Sequence, residues 1–179
     1  MDLKVGWNAV YLEVDASYEK IAHLPDGEIP SSIEQIWLWE PDDSAARFFR
    51  SPNQPYVSDG SPWVAWKSDG TQNDLEKLIG AHAYLVKCDA AVTWELKGRP
   101  MPPDVLWTSD GVNLLGFPTP PDASPSLTDF LEPEPFLRQK LKVYAYQGPV
   151  DPIPSQLWSL DDVEVVRGQA YWLNAPGVF

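Results

Sequence analysis

The run Gly6-Trp7-Asn8-Ala9-Val10-Tyr11-Leu12 returns later in the chain as Gly111-Val112-Asn113-Leu114-Leu115-Gly116-Phe117. In both, a turn-forming Gly-x-Asn leads into a stretch of apolar and aromatic residues with the length of a β-strand. Two more blocks recur in the same order. Ile36-Trp37-Leu38-Trp39 corresponds to Val143-Tyr144-Ala145-Tyr146, where aromatic and aliphatic side chains alternate with the two-residue period of a strand. His82-Ala83-Tyr84-Leu85-Val86 corresponds to Gln169-Ala170-Tyr171-Trp172-Leu173, and a glycine, Gly80 or Gly168, precedes each. Blocks that repeat in one order define an internal duplication, and a duplication constrains the fold before any single element does.

The copies occupy residues 1–98 and 107–179, joined by a proline-rich connector over 99–106 that contains Arg99-Pro100-Met101-Pro102-Pro103-Asp104. Such a connector is stiff, so the copies are expected to pack as one compact unit. The first copy runs on past Tyr84 into Ala91-Val92-Thr93-Trp94-Glu95-Leu96-Lys97, an alternating stretch with strand character. The second reaches Phe179 before a counterpart could occur. The expectation is that the chain is a fragment of a longer protein, or that a partner supplies the last strand of the second copy.

Nineteen prolines in 179 residues leave little room for long helices, because each fixes φ and removes a backbone donor. Alternation and turn chemistry predict strands near 8–14, 35–39, 47–50, 63–66, 83–87 and 92–96 in the first copy. In the second they predict strands near 105–108, 113–117, 141–146 and 170–173. Short helical turns are expected at 73–79, with Asn73 as N-cap and Gly80 as stop, and at 126–131. The predicted fold is all-β: an antiparallel sandwich or partly open barrel with a pseudo-twofold internal repeat and one or two short helical turns.

The formal charge of −13 and only 13 basic residues argue against a nucleic-acid partner, which needs clustered Lys and Arg, and against an anionic membrane surface. No apolar run is long enough to insert in a membrane as a helix. Cys88 is the only cysteine, so no intrachain disulfide and no cysteine-based zinc site can form. The residues after Met1 enter a strand with no apolar leader, which predicts an intracellular chain or one from which a leader has been removed.

The chemistry-bearing residues do not gather into a motif. His23 and His82 lack any metal-ligand or HExxH spacing, and no Gly-x-Ser-x-Gly elbow is present for a hydrolase triad. Asp42-Asp43, Glu132 with Glu134, and Asp161-Asp162 are carboxylate pairs of the kind a glycosidase uses, but they fall in turns where solvated carboxylates are ordinary. Asp42-Asp43, Asp59 and Asp69 beside glycines are the nearest approach to a calcium loop, without an EF-hand pattern. No catalytic residue, metal site or cofactor is therefore expected.

Tryptophan is the remaining signal, with nine in the chain. Trp7, Trp37, Trp39, Trp94 and Tyr84 sit in or beside the strand blocks, where core packing is expected. Trp63 and Trp66 belong to a stretch read as unique to the first copy, and Trp158 to a loop-like segment of the second. These three are the candidate ligand platform, since flat indole faces stack on sugar rings and anchor interfaces.

The motif set resembles repeat modules of large secreted or cell-surface bacterial proteins, with patterns of the form GWNxVxLPV and GxAYWV. The likeness is carried by Gly6 to Val14, Trp37 to Trp39, Ala83 to Val86, Gly111 to Pro118 and Gly168 to Leu173. This chain departs from the pattern at Glu13, where proline is common, and at Ala81-His82, where a glycine and a basic residue are common. The resemblance implies a secreted or cell-surface location and a structural or binding role, and it transfers no catalytic residue. The expected function is a non-enzymatic structural or interaction module whose partners are neighbouring domains or protein subunits. The alternative is a carbohydrate-binding module using Trp63, Trp66 and Trp158, with a glycoside-active enzyme behind both.

Overall fold

The computed structural model describes residues 1–25, 27–39, 63–102, 112–120, 122–131, 141–146, 154–157, 160–161 and 163–174. Within them the strands are β1 (Asp2–Leu3), β2 (Gly6–Leu12), β3 (Val14–Asp15), β4 (Ile33–Trp39), β5 (Trp63–Lys67), β6 (His82–Cys88), β7 (Val92–Thr93), β8 (Arg99–Pro100), β9 (Val112–Gly116), β10 (Lys142–Ala145), β11 (Ser155–Leu157) and β12 (Ala170–Asn174). Among the described residues, helix is confined to a 3-10 turn at Ile21–His23 and one α-turn at Leu127–Leu131. The fold is all-β, and every described strand pair is antiparallel.

Two four-stranded sheets hold most of the strands, with orders β2-β6-β4-β5 and β9-β12-β10-β11. These are the same order once the repeat is applied, and the agreement extends to register. Val10 faces Tyr84 across the first sheet as Leu115 faces Tyr171 across the second, and Trp37 faces Leu85 as Tyr144 faces Trp172. The hydroxyl of Tyr84 accepts from Ile79 N at 2.8 Å and donates to Ile79 O at 3.0 Å, binding strand β6 to the arch before it. Tyr171 repeats this corner, accepting from Val166 N at 3.0 Å and donating to Glu164 O at 3.1 Å. The helical turns are equivalent as well: Ile21 N donates to Glu76 O and Leu127 N to Val163 O, both at 2.8 Å.

Alternation along the strands gives each sheet two apolar faces. One face of the first sheet carries Val10, Leu12, Ile36, Leu38, Val64, Tyr84 and Val86 into a core closed by Ile21, Leu75, Leu78 and Trp94. The corresponding face of the second carries Val143, Tyr171 and Leu173 into a smaller core closed by Leu127, Leu131 and Val165. The opposite faces meet in a third cluster, a seam built from Ala9, Tyr11, Ala83, Leu85, Leu114 and Ala170 with Trp7, Trp37, Trp39, Trp63, Tyr146 and Trp172 around them.

Across the seam β2 approaches β12, β6 approaches β9, and β2 meets β9, the exchange of neighbours that a two-fold axis between the copies generates. Tyr11 N donates to Gly168 O at 2.8 Å, beside an antiparallel bridge between Val10 and Gln169. Tyr11 and Gly116 are repeat equivalents, and the Tyr11 ring lies so close over Gly116 that any Cβ there would run into it. Equivalent residues in mutual contact mark the pseudo-twofold axis. The halves thus keep separate cores and share one seam, with no continuous barrel between them among the described residues.

Several expectations are corrected. Residues 73–79 form no helix. They run extended along the free edge of β5, where Leu75 N donates to Ala65 O at 2.9 Å and Trp66 bridges Asn73. The stretch around Trp63 is not unique to the first copy, since β11 takes the same place beside β10 that β5 takes beside β4. The strand read over 92–96 pairs only over its first half, with Val92–Thr93 opposite β1 and Trp94 N donating to Met1 O at 2.8 Å. Part of the connector is itself a strand: β8 pairs with β3, so Arg99 lies opposite Asp15 and Pro100 opposite Val14. The strands expected at 47–50 and 105–108 lie outside the described residues.

Candidate functional site

Two of the three indoles singled out from the sequence, Trp63 and Trp66, do not share a face. Trp63 and Trp66 are three residues apart on β5 and therefore point to opposite faces of the sheet. Trp66 packs on the rim of the first core. Trp63 enters the seam, where its ring lies 4.7 Å from Trp39, 6.1 Å from Trp37 and 6.0 Å from Trp172, each at a steep angle. Trp39 and Trp172 close the cluster at 5.7 Å. Trp158 lies outside the described residues.

Edge-to-face contacts at these separations are worth about 0.5–1.5 kcal/mol each beyond the area they bury. They also engage part of the ring surface on which a sugar would stack. Trp37 is fixed further by its indole N–H, which donates to Gln35 Oε1 at 2.9 Å, and by Lys67, whose ammonium sits 5.2 Å above the ring. The indole nitrogen of Trp39 is buried in the cluster without a hydrogen-bond partner. Tyr146 lies in the same region, and burial raises its phenol above the ordinary range against a smaller opposing pull from the Trp172 indole.

A second site, not legible as a motif, opens beside the pseudo-axis. It is a cleft of about 350 Å³ whose walls come from both copies: Tyr11, Glu13, Val14 and Ala81 from the first, Pro118, Thr119 and Arg167 from the second, with Pro100 and Met101 from the connector. Arg167 Nε donates to Glu13 Oε2 at 2.6 Å, an ion pair that spans the copies. Glu13 Oε1 has a long contact of 3.5 Å from the Thr119 backbone N–H. Thr119 is only 7% exposed, and its hydroxyl is buried with no partner. Ala81, on the first-copy wall, has φ 58, the left-handed region that Gly168 occupies at the equivalent position with φ 75.

Elsewhere the polar groups are engaged in holding the chain together. Asp15 accepts from Ser17 and from Gly80 N, and the carboxylate of Glu28 accepts from Tyr18 and Lys97 N while its carbonyl accepts from the Trp94 indole. The Cys88 thiol is pushed up to about 11 by burial, with Asp89 and Glu34 adding to the effect, so it is a poor nucleophile and metal ligand at neutral pH. Among the described residues no group of three or more His, Cys, Asp or Glu is placed to hold a metal ion. His23 pairs with Glu19 at the surface, and His82 is bound to Gly80 O.

Comparison with family models, curated proteins and solved structures finds no match of any of the three kinds.

Proposed function

We propose that this chain is a non-enzymatic structural and interaction module of a larger, extracellular bacterial protein, acting on neighbouring domains or partner subunits. The observation that carries the reading is the seam. Trp37, Trp39 and Trp63 from one copy and Trp172 from the other are used on each other, so the largest aromatic investment of the sequence serves to fix the two sheets as one rigid body. Rigidity between fixed surfaces is what a spacer or docking module requires. The extracellular and bacterial parts of the reading rest on the motif resemblance.

Tryptophan fluorescence against a panel of oligosaccharides and polysaccharides separates this reading from a carbohydrate-binding one. A flat response is expected. A saturable change that Trp63→Ala or Trp66→Ala removes, with the fold retained, would replace the proposal with sugar recognition.

A further inference from the structure

At the cleft beside the pseudo-axis the two copies differ in chemistry. Glu13 stands where the second copy has Pro118, Thr119 where the first has Val14, and Arg167 where the first has Gly80. Ala81 keeps a left-handed backbone that its equivalent meets with glycine. Strained backbone and a buried hydroxyl without a partner are costs that natural folds concentrate at sites with a purpose. Here both border one cavity, together with an ion pair found in neither copy alone.

We infer that this cleft binds a zwitterionic α-amino acid with an apolar side chain, a role separate from the structural one proposed above. The charges define the class of ligand. Arg167 spends Nε on Glu13 and its side chain is 54% exposed, so its Nη groups remain available for a carboxylate in the two-pronged geometry that guanidinium favours. Glu13 Oε1, held only by the long contact from Thr119 N, retains capacity to accept from an ammonium group. A lone anion would be repelled by Glu13 and a lone cation by Arg167, whereas a ligand carrying both charges satisfies both. A bound ligand would also offer a partner to the Thr119 hydroxyl, buried beside the cleft without one. Tyr11, Val14, Met101 and Pro118 give apolar walls for the side chain, and a volume of about 350 Å³ is at the small end of ligand sites. It suits a single residue.

Amide resonances of the full chain are followed by NMR as L-phenylalanine or L-leucine is added. The same is done with L-phenylalaninamide, N-acetyl-L-phenylalanine and a short peptide ending in phenylalanine. The expected result is saturable shifts at Ala81, Thr119 and Arg167 with the free amino acids, and at least tenfold weaker binding when either charge is blocked. Arg167→Gln, on a half-exposed side chain, is expected to abolish the response while the spectrum stays folded. Thr119→Val, which restores the residue type of the equivalent Val14, is expected to weaken it severalfold. Absence of saturable shifts at millimolar ligand, or an unchanged response in Arg167→Gln, overturns the site. Equal or tighter binding of the N-acetyl compound or the peptide overturns the free amino acid in favour of a polypeptide C-terminus.

Discussion

At the scale of single residues, the copies agree in backbone and differ where a side chain meets the axis. Gly116 has no room for a methyl group because the Tyr11 ring covers it. Gly116→Ala is expected to destabilise the protein by about 3 kcal/mol or more, the upper range for overpacking, as read by chemical denaturation. Ala81 is the opposite case. A left-handed conformation costs an alanine roughly 1–2 kcal/mol, part of which glycine returns as unfolded-chain entropy, so Ala81→Gly is expected to stabilise by about 0.5–1 kcal/mol. A loss of stability would mean that the backbone at φ 58 is relaxed by its surroundings. Cys88 gives a pH-dependent test. It is 2% exposed and its folded-state value lies above the ordinary 9.0, at about 11. The thiol is neutral in both states below about pH 9, so its contribution is fully present there. As pH rises from 9 towards 11 the unfolded thiol ionises first, and stability is expected to fall by on the order of 2 kcal/mol. Cys88→Ser is expected to flatten that part of the profile, and a thiol reagent at pH 8 is expected to label only unfolded chains.

At the scale of elements, the strands of the duplicated blocks were legible because period-two alternation is a direct consequence of pleat geometry. Val10, Leu12, Ile36, Leu38, Tyr84 and Val86 occupy alternate positions and all face one core. The errors have equally physical causes. Leu75 and Leu78 have helical spacing, but both are buried by an extended segment that covers the open edge of β5, and edge coverage depends on a neighbour 10 residues away in sequence that no local pattern reports. The equivalence of β5 and β11 was hidden because Val64 and Trp66 correspond to Ser155 and Leu157, different side chains on the same path. The tyrosine corners show the reverse, a shared sequence feature whose role only appears in three dimensions. Tyr84→Phe leaves the Ile79 N–H and C=O without their partner. It is expected to cost about 2 kcal/mol, within the range for an unsatisfied buried group, with accelerated amide exchange at Ile79 as the local signature.

At the scale of the whole molecule, two cores joined by one aromatic seam raise the question of cooperativity. Because Tyr11, Leu85, Leu114 and Ala170 bury surface only when both sheets are present, the halves are expected to unfold together, with tryptophan fluorescence and far-ultraviolet circular dichroism giving coincident transitions. Trp63→Ala, which removes contacts to Trp37, Trp39 and Trp172 at once, is expected to cost about 3–5 kcal/mol and to separate the transitions. Separate transitions in the unaltered protein would show that the seam does not couple the halves. The two site readings differ in how much the sequence revealed. The abundance of tryptophan was visible, but the fate of Trp63 and Trp66 was decided by their odd spacing on one strand. The cleft was invisible as a motif, although Glu13 had already stood out as a departure from the repeat pattern.

The contact between Tyr11 and Gly116 also bears on descent. A pair of identical units related by a true two-fold must place the same residue on both sides of the axis, and two tyrosines there would collide while two glycines would leave a hole. A ring on one side and bare backbone on the other requires two units of different sequence. In this chain the halves meet as a ring and the space it fills, a complementarity that neither half offers to a second copy of itself.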